Sequence, residues 1–139
     1  MIDSTNILYS ASAAKRIMGV DAKVKIQVWA KVILVAVEGF RPRFVSKQIF
    51  KQHFVNRRKQ EARALEAHQI NHHTFTVINE AKGSRYEVSA VAGRVFCSCE
   101  DYKNQLDFFG KAACKHSYAV LATLGYGSLS DYIKATAIA

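Results

Sequence analysis

The feature that most constrains this chain is the window from Cys97 to His116, which contains all three of its cysteines. Cys97 and Cys99 are separated by one residue, fourteen residues follow, and Cys114 and His116 are again separated by one. Three thiols and one imidazole match the number and kind of ligands that close a tetrahedral structural zinc site. We therefore predict that these four residues bind Zn²⁺. The alternative is three buried cysteines beside an unrelated histidine.

The rest of the sequence indicates one domain, or two small domains that share the metal, since 139 residues with 50% apolar content can form a core. The N-terminus lacks the basic start and apolar stretch of a signal peptide, and no run of eighteen apolar residues is present. We expect a cytoplasmic protein. In a reducing compartment, three cysteines suit metal binding better than a disulfide framework.

The positive charge of the chain, a formal net +9, is unevenly distributed. Residues 1–69 carry 13 Lys and Arg against 5 Asp and Glu, whereas residues 70–139 carry 7 against 6. The excess therefore lies away from the cysteine window. A strongly basic segment favours a polyanionic partner, most simply nucleic acid. The alternative is that the charge serves solubility alone.

The N-terminal region begins with a predicted short helix from Ser10 to Gly19, in which the serine is a cap and the glycine a C-terminal stop. The next segment, Lys23 to Val32, is ambiguous. Its strict apolar–polar alternation favours a strand. Its valines also recur every four residues, which fits a helix. Both alternatives remain open from the sequence.

Residues 9–54 resemble the small winged-helix modules of phage excisionases and mercury-regulator-type proteins. The resemblance rests on Tyr9–Val20 as the first helix and turn, Trp29 in the recognition helix, Leu34–Gly39 and Arg41–Phe44 as a wing, and Ser46–Phe50 opening the last helix. One extra residue before the tryptophan and a proline in the wing depart from the pattern.

The winged-helix resemblance implies a set of DNA contacts. Basic and amide side chains of the recognition helix would enter a major groove, and arginines of the wing would contact phosphates or the minor groove. The residues concerned are Lys23, Lys25, Gln27, Lys31, Arg41 and Arg43. In the strand alternative, the same residues of 23–32 form the solvated face of an amphipathic strand, and the tryptophan covers a sheet face.

A long helix is predicted from Ser46 to about Gln69, because a serine cap precedes apolar residues at helical spacing. Arg57 and Arg58 fall on this helix. They are either phosphate contacts or part of a solvated face. Near the zinc ligands, Lys115 is a further candidate nucleic-acid contact.

The C-terminal region is predicted to form a three-stranded meander that leads into the first ligand. Alternation over Thr74–Ile78, Tyr86–Ala90 and Arg94–Phe96, with turns between them, carries this prediction. We expect a loop at 104–111, a helix at 112–124 and a short helix at 130–136.

Residues 74–125 resemble the SWIM zinc finger family, in which Cys-x-Cys, a variable spacer and Cys-x-His lie on a β-β-α unit. The acidic and aromatic residues after the second ligand, and the helix that continues from the last pair, support the likeness. The resemblance implies a structural zinc ion and a role in DNA binding or in protein–protein contact.

Together these patterns predict an α+β fold with a basic N-terminal module, residues 1–70, and a zinc-stapled module, residues 71–139. The sequence contains no Ser/His/Asp order, glycine-rich phosphate loop or paired carboxylates that suit catalysis, so we expect no enzyme. We expect a DNA-binding accessory or regulatory factor in recombination, mobile-element or transcription control, with RNA as the alternative target. The competing hypothesis is a protein adaptor with an exposed aromatic patch made of Tyr102, Phe108, Phe109 and Tyr126.

Overall fold

The structure, a computed structural model, describes residues 7–138. The first six residues, which bear on the signal-peptide prediction, lie outside that range. The described residues contain five α-helices and two antiparallel sheets, of three and four strands, so the α+β prediction is confirmed. No helix among them is long and apolar enough to cross a membrane. The chain divides into two compact units, Met1–Arg57 and Arg58–Ala139.

The first unit is a helix followed by a three-stranded meander and the start of a long helix. In chain order these elements are α1 (Ala11–Met18), β1 (Val24–Val28), β2 (Val32–Val37), β3 (Arg43–Ser46) and α2 (Lys47–Ala62), which runs on into the second unit. The sheet order is β1-β2-β3.

Helix α1 confirms the local prediction. The Ser10 side chain accepts a hydrogen bond from the backbone N–H of Ala13 at 3.0 Å, which satisfies one of the free donors at the helix start. Gly19 ends the helix with φ +67°, a left-handed conformation that glycine adopts without steric cost, and its N–H donates to the carbonyl of Lys15. These signals lie within one turn of each end, so they can be read from sequence.

The ambiguous segment forms a strand, and the recognition helix implied by the winged-helix resemblance is a wrong expectation for residues 24–28. Strand β1 pairs with β2 from Val24↔Val37 to Val28↔Ile33, and the chain turns between them. The turn is closed by the N–H of Trp29, which donates to the carbonyl of Val32. Strands β1 and β2 are both rich in β-branched residues, and the stabilisation from their pairing outweighs the helical preference that the four-residue spacing of valines in β1 indicates.

One face of this sheet forms the core of the first unit. Its inward-facing residues pack with two alanines of α1 and one phenylalanine of α2. The buried residues are Ala13, Ala14, Val24, Ile33, Val35, Val37, Val45 and Phe50.

The second unit is a four-stranded antiparallel meander followed by three helices. The strands are β4 (Glu66–Gln69), β5 (Thr74–Asn79), β6 (Ser84–Val91) and β7 (Arg94–Cys97), in that order across the sheet. The helices are α3 (Glu100–Phe109), α4 (Lys115–Leu124) and α5 (Leu129–Ile138).

Two expectations for this unit are wrong. The helix predicted to reach Gln69 ends at Ala62, and residues 66–69 form a fourth strand paired with β5. A strand of four residues is too short to show the alternation of apolar and polar residues that predicts strands, so it could not be predicted from its own sequence. Its backbone hydrogen-bond partners lie on another strand. The predicted loop at 104–111 is largely helical, because α3 continues to Phe109 before Gly110 ends it with φ +71°.

The core of the second unit lies where α4 crosses the sheet. Val120 and Leu121 on α4 are fully buried. They belong to the same buried cluster as Phe75 and Val88 of the sheet. That cluster also includes the three cysteines of the window, so the candidate ligands lie inside the core.

Candidate metal centre

Each of the four predicted ligands occupies the end of a regular element. Cys97 is the last residue of β7, and Cys99 is the N-cap of α3. Cys114 is the N-cap of α4, and His116 is the second residue of that helix. A strand end and two helix starts therefore converge, and the fourteen residues between the ligand pairs provide the helix that brings the chain back.

The ligand atoms of these residues form a compact tetrad. The three Sγ atoms and a ring nitrogen of His116 all lie within 4.8 Å of one another. Nδ1 of His116 is 3.7 Å from Sγ of both Cys97 and Cys114. Tetrahedral zinc with Zn–S of about 2.3 Å and Zn–N of about 2.1 Å separates its ligand atoms by roughly 3.6–3.8 Å. The tetrad thus has the size and the donors to hold a metal ion such as zinc.

The surroundings exclude water from the tetrad. Cys97 and Cys114 have no exposed surface, His116 is 4% exposed and Cys99 is 6% exposed. The ring of Tyr86 lies against the imidazole of His116, with ring centroids 4.5 Å apart. Four protein ligands in a buried site leave no open coordination position, which is the arrangement of structural and not of catalytic zinc.

Two helix N-termini point at the sulfur atoms. Sγ of Cys99 accepts the backbone N–H of Tyr102, and Sγ of Cys114 accepts that of Ser117, each at 3.4 Å. The buried hydroxyl of Ser117 lies 3.3 Å from the same Cys114 sulfur. Amide donors and the positive ends of helix dipoles stabilise thiolates. Zn²⁺ with three thiolates carries a net charge of about −1, which these donors offset.

The cysteines differ in acidity without a metal. Hydrogen bonds from Cys97 and then from Cys99 lower the pKa of Cys114 far below its usual value. Each of the other two cysteines has its own hydrogen bond to Cys114, and that bond is the main cause that raises the pKa of Cys97 and that raises the pKa of Cys99 to about 11. Of the three thiols, that of Cys114 therefore has the lowest pKa in the folded metal-free site. A metal that binds here displaces the remaining protons.

A polar network outside the ligands holds the second ligand pair in place. Arg58 near the end of α2 donates two hydrogen bonds of 2.9 Å to the carboxylate of Asp101 on α3. The amide of Gln105, which is 4% exposed, donates to Asp101 at 2.9 Å and to the carbonyl of Ala113 at 3.2 Å. Its carbonyl accepts the N–H of Ala113 at 3.1 Å, so the residue before Cys114 is fixed on both sides.

Most of the residues in this network were not predicted from the sequence. The acidic residues after the second cysteine indicate either a surface role or a hydrogen-bonding role near the site, and the contacts of Asp101 agree with the second. Gln105 carries no such signal, because its function depends on helix α3, which was expected to be a loop in that part. Ser117 and Tyr86 likewise reach the site only through the packing of α4 against the sheet.

The aromatic patch of the adaptor hypothesis is only partly exposed. Tyr102 is buried, and its hydroxyl donates to the carbonyl of Val95 at 2.8 Å, so its inclusion in an exposed patch is a wrong expectation. Phe108 is 39% exposed. Phe109 and Tyr126 are half-buried, and the ring of Tyr126 packs on that of Tyr132.

The predicted nucleic-acid residues fall into two groups. Arg58 and Lys115 lie in the second unit and contact carboxylates: Arg58 pairs with Asp101, and Nζ of Lys115 is 3.8 Å from Glu61. The others lie in the first unit with exposed side chains: Lys23, Lys25, Gln27, Lys31, Arg41, Arg43 and Arg57. Within residues 7–138, the three lysines of this group and the two arginines next to Pro42 form no ion pair.

No family model, curated protein or solved structure shows a significant match to this chain.

Proposed function

We propose that this protein is a zinc-binding, nucleic-acid-binding factor, in which a SWIM-type zinc module stabilises the second unit and the first unit contacts DNA. The observation that carries the proposal is the charge of residues 7–57, which hold 10 Lys and Arg against 2 Asp and Glu. Such an excess on one compact unit is the electrostatic footprint of a nucleic-acid-binding domain. A role as an accessory factor in recombination, mobile-element or transcription control suits this combination.

Zinc is the metal that the donors of the second unit favour. Thiolate and imidazole ligands in a closed tetrahedral set select Zn²⁺ over hard cations such as Mg²⁺ or Ca²⁺. The order of elements supports the SWIM type, because Cys-x-Cys follows the β6–β7 hairpin and Cys-x-His opens a helix. A closed site argues for a structural role of the metal, and hence for binding and not catalysis as the function.

The cations of the first unit support contact with the phosphate backbone. Lys23, Lys25 and Lys31 lie on or beside β1, and Arg41 and Arg43 lie at the β2–β3 turn and on β3. Antiparallel strands can enter the major groove of B-form DNA, as a helix does. In this proposal the strand face replaces the recognition helix that the sequence pattern allowed.

DNA binding is tested by fluorescence anisotropy on a random duplex over a range of salt concentrations. We expect the logarithm of the affinity to fall linearly with that of the salt concentration, with a slope of about −0.9 per phosphate contact. Replacing Arg41 and Arg43 with alanine should make that slope shallower by about 2. The matched control replaces Lys82 and Lys134, two exposed lysines of the second unit, and should leave the slope unchanged.

A flat salt response, or the absence of any binding to nucleic acid, would contradict the proposal. It would favour the adaptor hypothesis, in which the zinc module docks on a protein partner. An equal change of the salt slope in the Arg41/Arg43 variant and in the Lys82/Lys134 control would also contradict it, because the phosphate contacts would then not belong to the first unit.

A further inference from the structure

The three-stranded sheet of the first unit has a second face that does not join the core. Side chains alternate along a strand, so residues next to the buried valines point the other way. We call this surface the outer sheet face, and it consists of Lys25, Gln27, Trp29, Leu34 and Phe44. Its two aromatic side chains are unusually open: Trp29 is 47% exposed and Phe44 is 56% exposed.

The two rings form an ordered pair. Their centroids lie 5.0 Å apart at an interplanar angle of 74°, an edge-to-face arrangement. Trp29 follows β1 and Phe44 lies on β3, so the rings meet across the intervening strand β2. The indole N–H of Trp29 donates to the side-chain carbonyl of Gln27 at 3.2 Å, which further orients the ring. Such a pair is held in place before any ligand arrives.

Two cations flank this aromatic pair. Lys25 lies on the same face of β1 and Lys31 is in the turn beside Trp29, whereas Arg43 of β3 pairs with the inward-facing Val35 and so lies on the opposite face of the sheet. These three side chains are exposed and form no ion pair among residues 7–138. The acidic Glu38 lies at the other end of the β1–β2 hairpin, where its N–H bonds to the carbonyl of Lys23. The aromatic end of the face is thus free of carboxylates from its own sheet.

A groove lies along the edge of β3. It has a volume of about 280 Å³, and its walls include Ile17, Met18, Ile49 and Phe44, with Arg43 among the lining residues. An apolar wall beside a guanidinium suits a flat ring that carries an adjacent negative charge. The groove lies within the first unit.

We propose that the outer sheet face binds single-stranded nucleic acid, with bases stacked on Trp29 and Phe44 and phosphates beside Lys25 and Lys31. This inference rests on the proposed nucleic-acid binding and assigns its target form. Stacking on protein side chains needs bases whose faces are open. A duplex buries those faces in its own stack and offers mainly phosphates and groove edges. Only a single strand can therefore both stack its bases on the exposed rings and place its phosphates beside the unpaired cations.

The chain provides its own reporter, because Trp29 is its only tryptophan. We expect its fluorescence to be quenched in a saturable way by oligo(dT) or oligo(U) of about 16 nucleotides, a length that covers one small binding module. A hairpin duplex of equal length should bind more weakly and leave the emission nearly unchanged. The comparison of oligo(dT) with oligo(U) shows whether the 2′-hydroxyl of RNA affects the affinity.

The stacking is tested at Phe44, which leaves the reporter in place. Phe44→Leu keeps most of the apolar volume but removes the aromatic face, and we expect it to weaken binding of the single strand by about 5- to 150-fold. Phe44→Ala should weaken it at least as much, and thermal melts followed by circular dichroism establish that each variant is folded. Lys25→Ala should reduce the salt slope for the single strand by about 0.7, whereas Lys82→Ala should not change it.

The matched aromatic control is Phe96, which lies on the sheet of the second unit. It is 55% exposed and makes an edge-to-face pair with Tyr102 at 5.4 Å, so its exposure and geometry closely match those of Phe44. Phe96→Ala should leave the quenching of Trp29 and the affinity for the single strand unchanged.

The outcomes separate this inference from the proposed function. Tight binding of the duplex without quenching of Trp29 would overturn the single-strand inference and leave the proposed function standing. Failure to bind either form would overturn both. A concentration-dependent change in Trp29 emission without nucleic acid, abolished by Phe44→Leu, would identify the outer sheet face as a contact between two copies and would also overturn the inference.

Discussion

Replacing Cys114 should unfold the second unit and spare the first. Its sulfur does two things: it is one of the four ligand atoms, and it caps α4 by accepting the N–H of Ser117. Loss of a cap alone costs about 1 kcal/mol. Loss of a ligand removes most of the metal's contribution, which for structural zinc in small fingers is about 10–16 kcal/mol.

The comparison of magnitudes decides the outcome. A unit of roughly 80 residues has a free energy of unfolding of about 4–12 kcal/mol in total. The metal contribution is as large as that or larger, so the second unit should not stay folded without it. The first unit has its own buried cluster, which includes Ile33, Val35 and Phe50 and no ligand residue. It should therefore unfold in a separate transition.

Two substitutions at this position separate the two roles. Cys114→Ser keeps an acceptor that can cap the helix but supplies a hard oxygen in place of a soft thiolate, whereas Cys114→Ala removes both. Both variants should lose bound zinc and the native far-ultraviolet signal of the second unit, measured by a zinc-release assay and by circular dichroism. The emission of Trp29 should report a melting transition close to that of the wild type. Ser98→Ala, at an exposed position between two ligands, is the control.

Either of two results would refute part of this reasoning. If Cys114→Ala retained one zinc per chain together with the full circular dichroism signal, the tetrad would not be the metal site. If both variants also abolished the transition seen through Trp29, the two units would not be independently stable.

Two further predictions concern the acidic group beside the site and the protons on its ligands. Asp101→Asn weakens the hydrogen bonds from Arg58. Because that carboxylate is 38% exposed, we expect the free energy of unfolding, measured with denaturant, to fall by only about 1–2 kcal/mol. The control is Glu100→Gln, which makes the same charge change at the neighbouring exposed residue and should lower the free energy of unfolding by less than about 0.5 kcal/mol. Because the second unit should not stay folded without its metal, its three cysteines then have ordinary pKa values and are protonated at neutral pH. Zinc should therefore displace about three protons, and its Kd should fall by about 1000-fold per unit rise in pH near neutrality. Release of only two protons, measured with an indicator dye in weak buffer, would mean that a metal-free tetrad persists in which Cys114, whose pKa is lowered by hydrogen bonds with Cys97 and Cys99, is already a thiolate.

The ligands were predictable because their signal is short-range and chemically narrow. Cys97, Cys99, Cys114 and His116 are few, soft and closely spaced, and the structure brings them within 4.8 Å of one another. The residues that hold them were not predictable in the same way. Gln105 contacts the site because helix α3 replaces the expected loop and turns its amide toward Ala113.

The segment 23–32 shows the opposite case, in which one pattern fits two structures. Its alternation and its four-residue spacing are both present in the sequence, and no local signal chooses between them. The choice comes from β2, which pairs with β1 at five positions, three of them with a β-branched residue of β2. Residues 66–69 likewise become a strand only because β5 lies beside them.

The sequence by itself therefore determined the cluster of candidate metal ligands, the caps of α1 and the basic character of the N-terminal part. Each of these depends on residue identity and on spacings that backbone geometry translates directly into position. The tertiary structure alone decided that residues 24–28 are a strand, that Arg58 and Lys115 pair with carboxylates, and that Trp29 and Phe44 share an open face. Those outcomes depend on partners far apart in the chain, because strand pairing and ion pairs form between residues that only folding brings together.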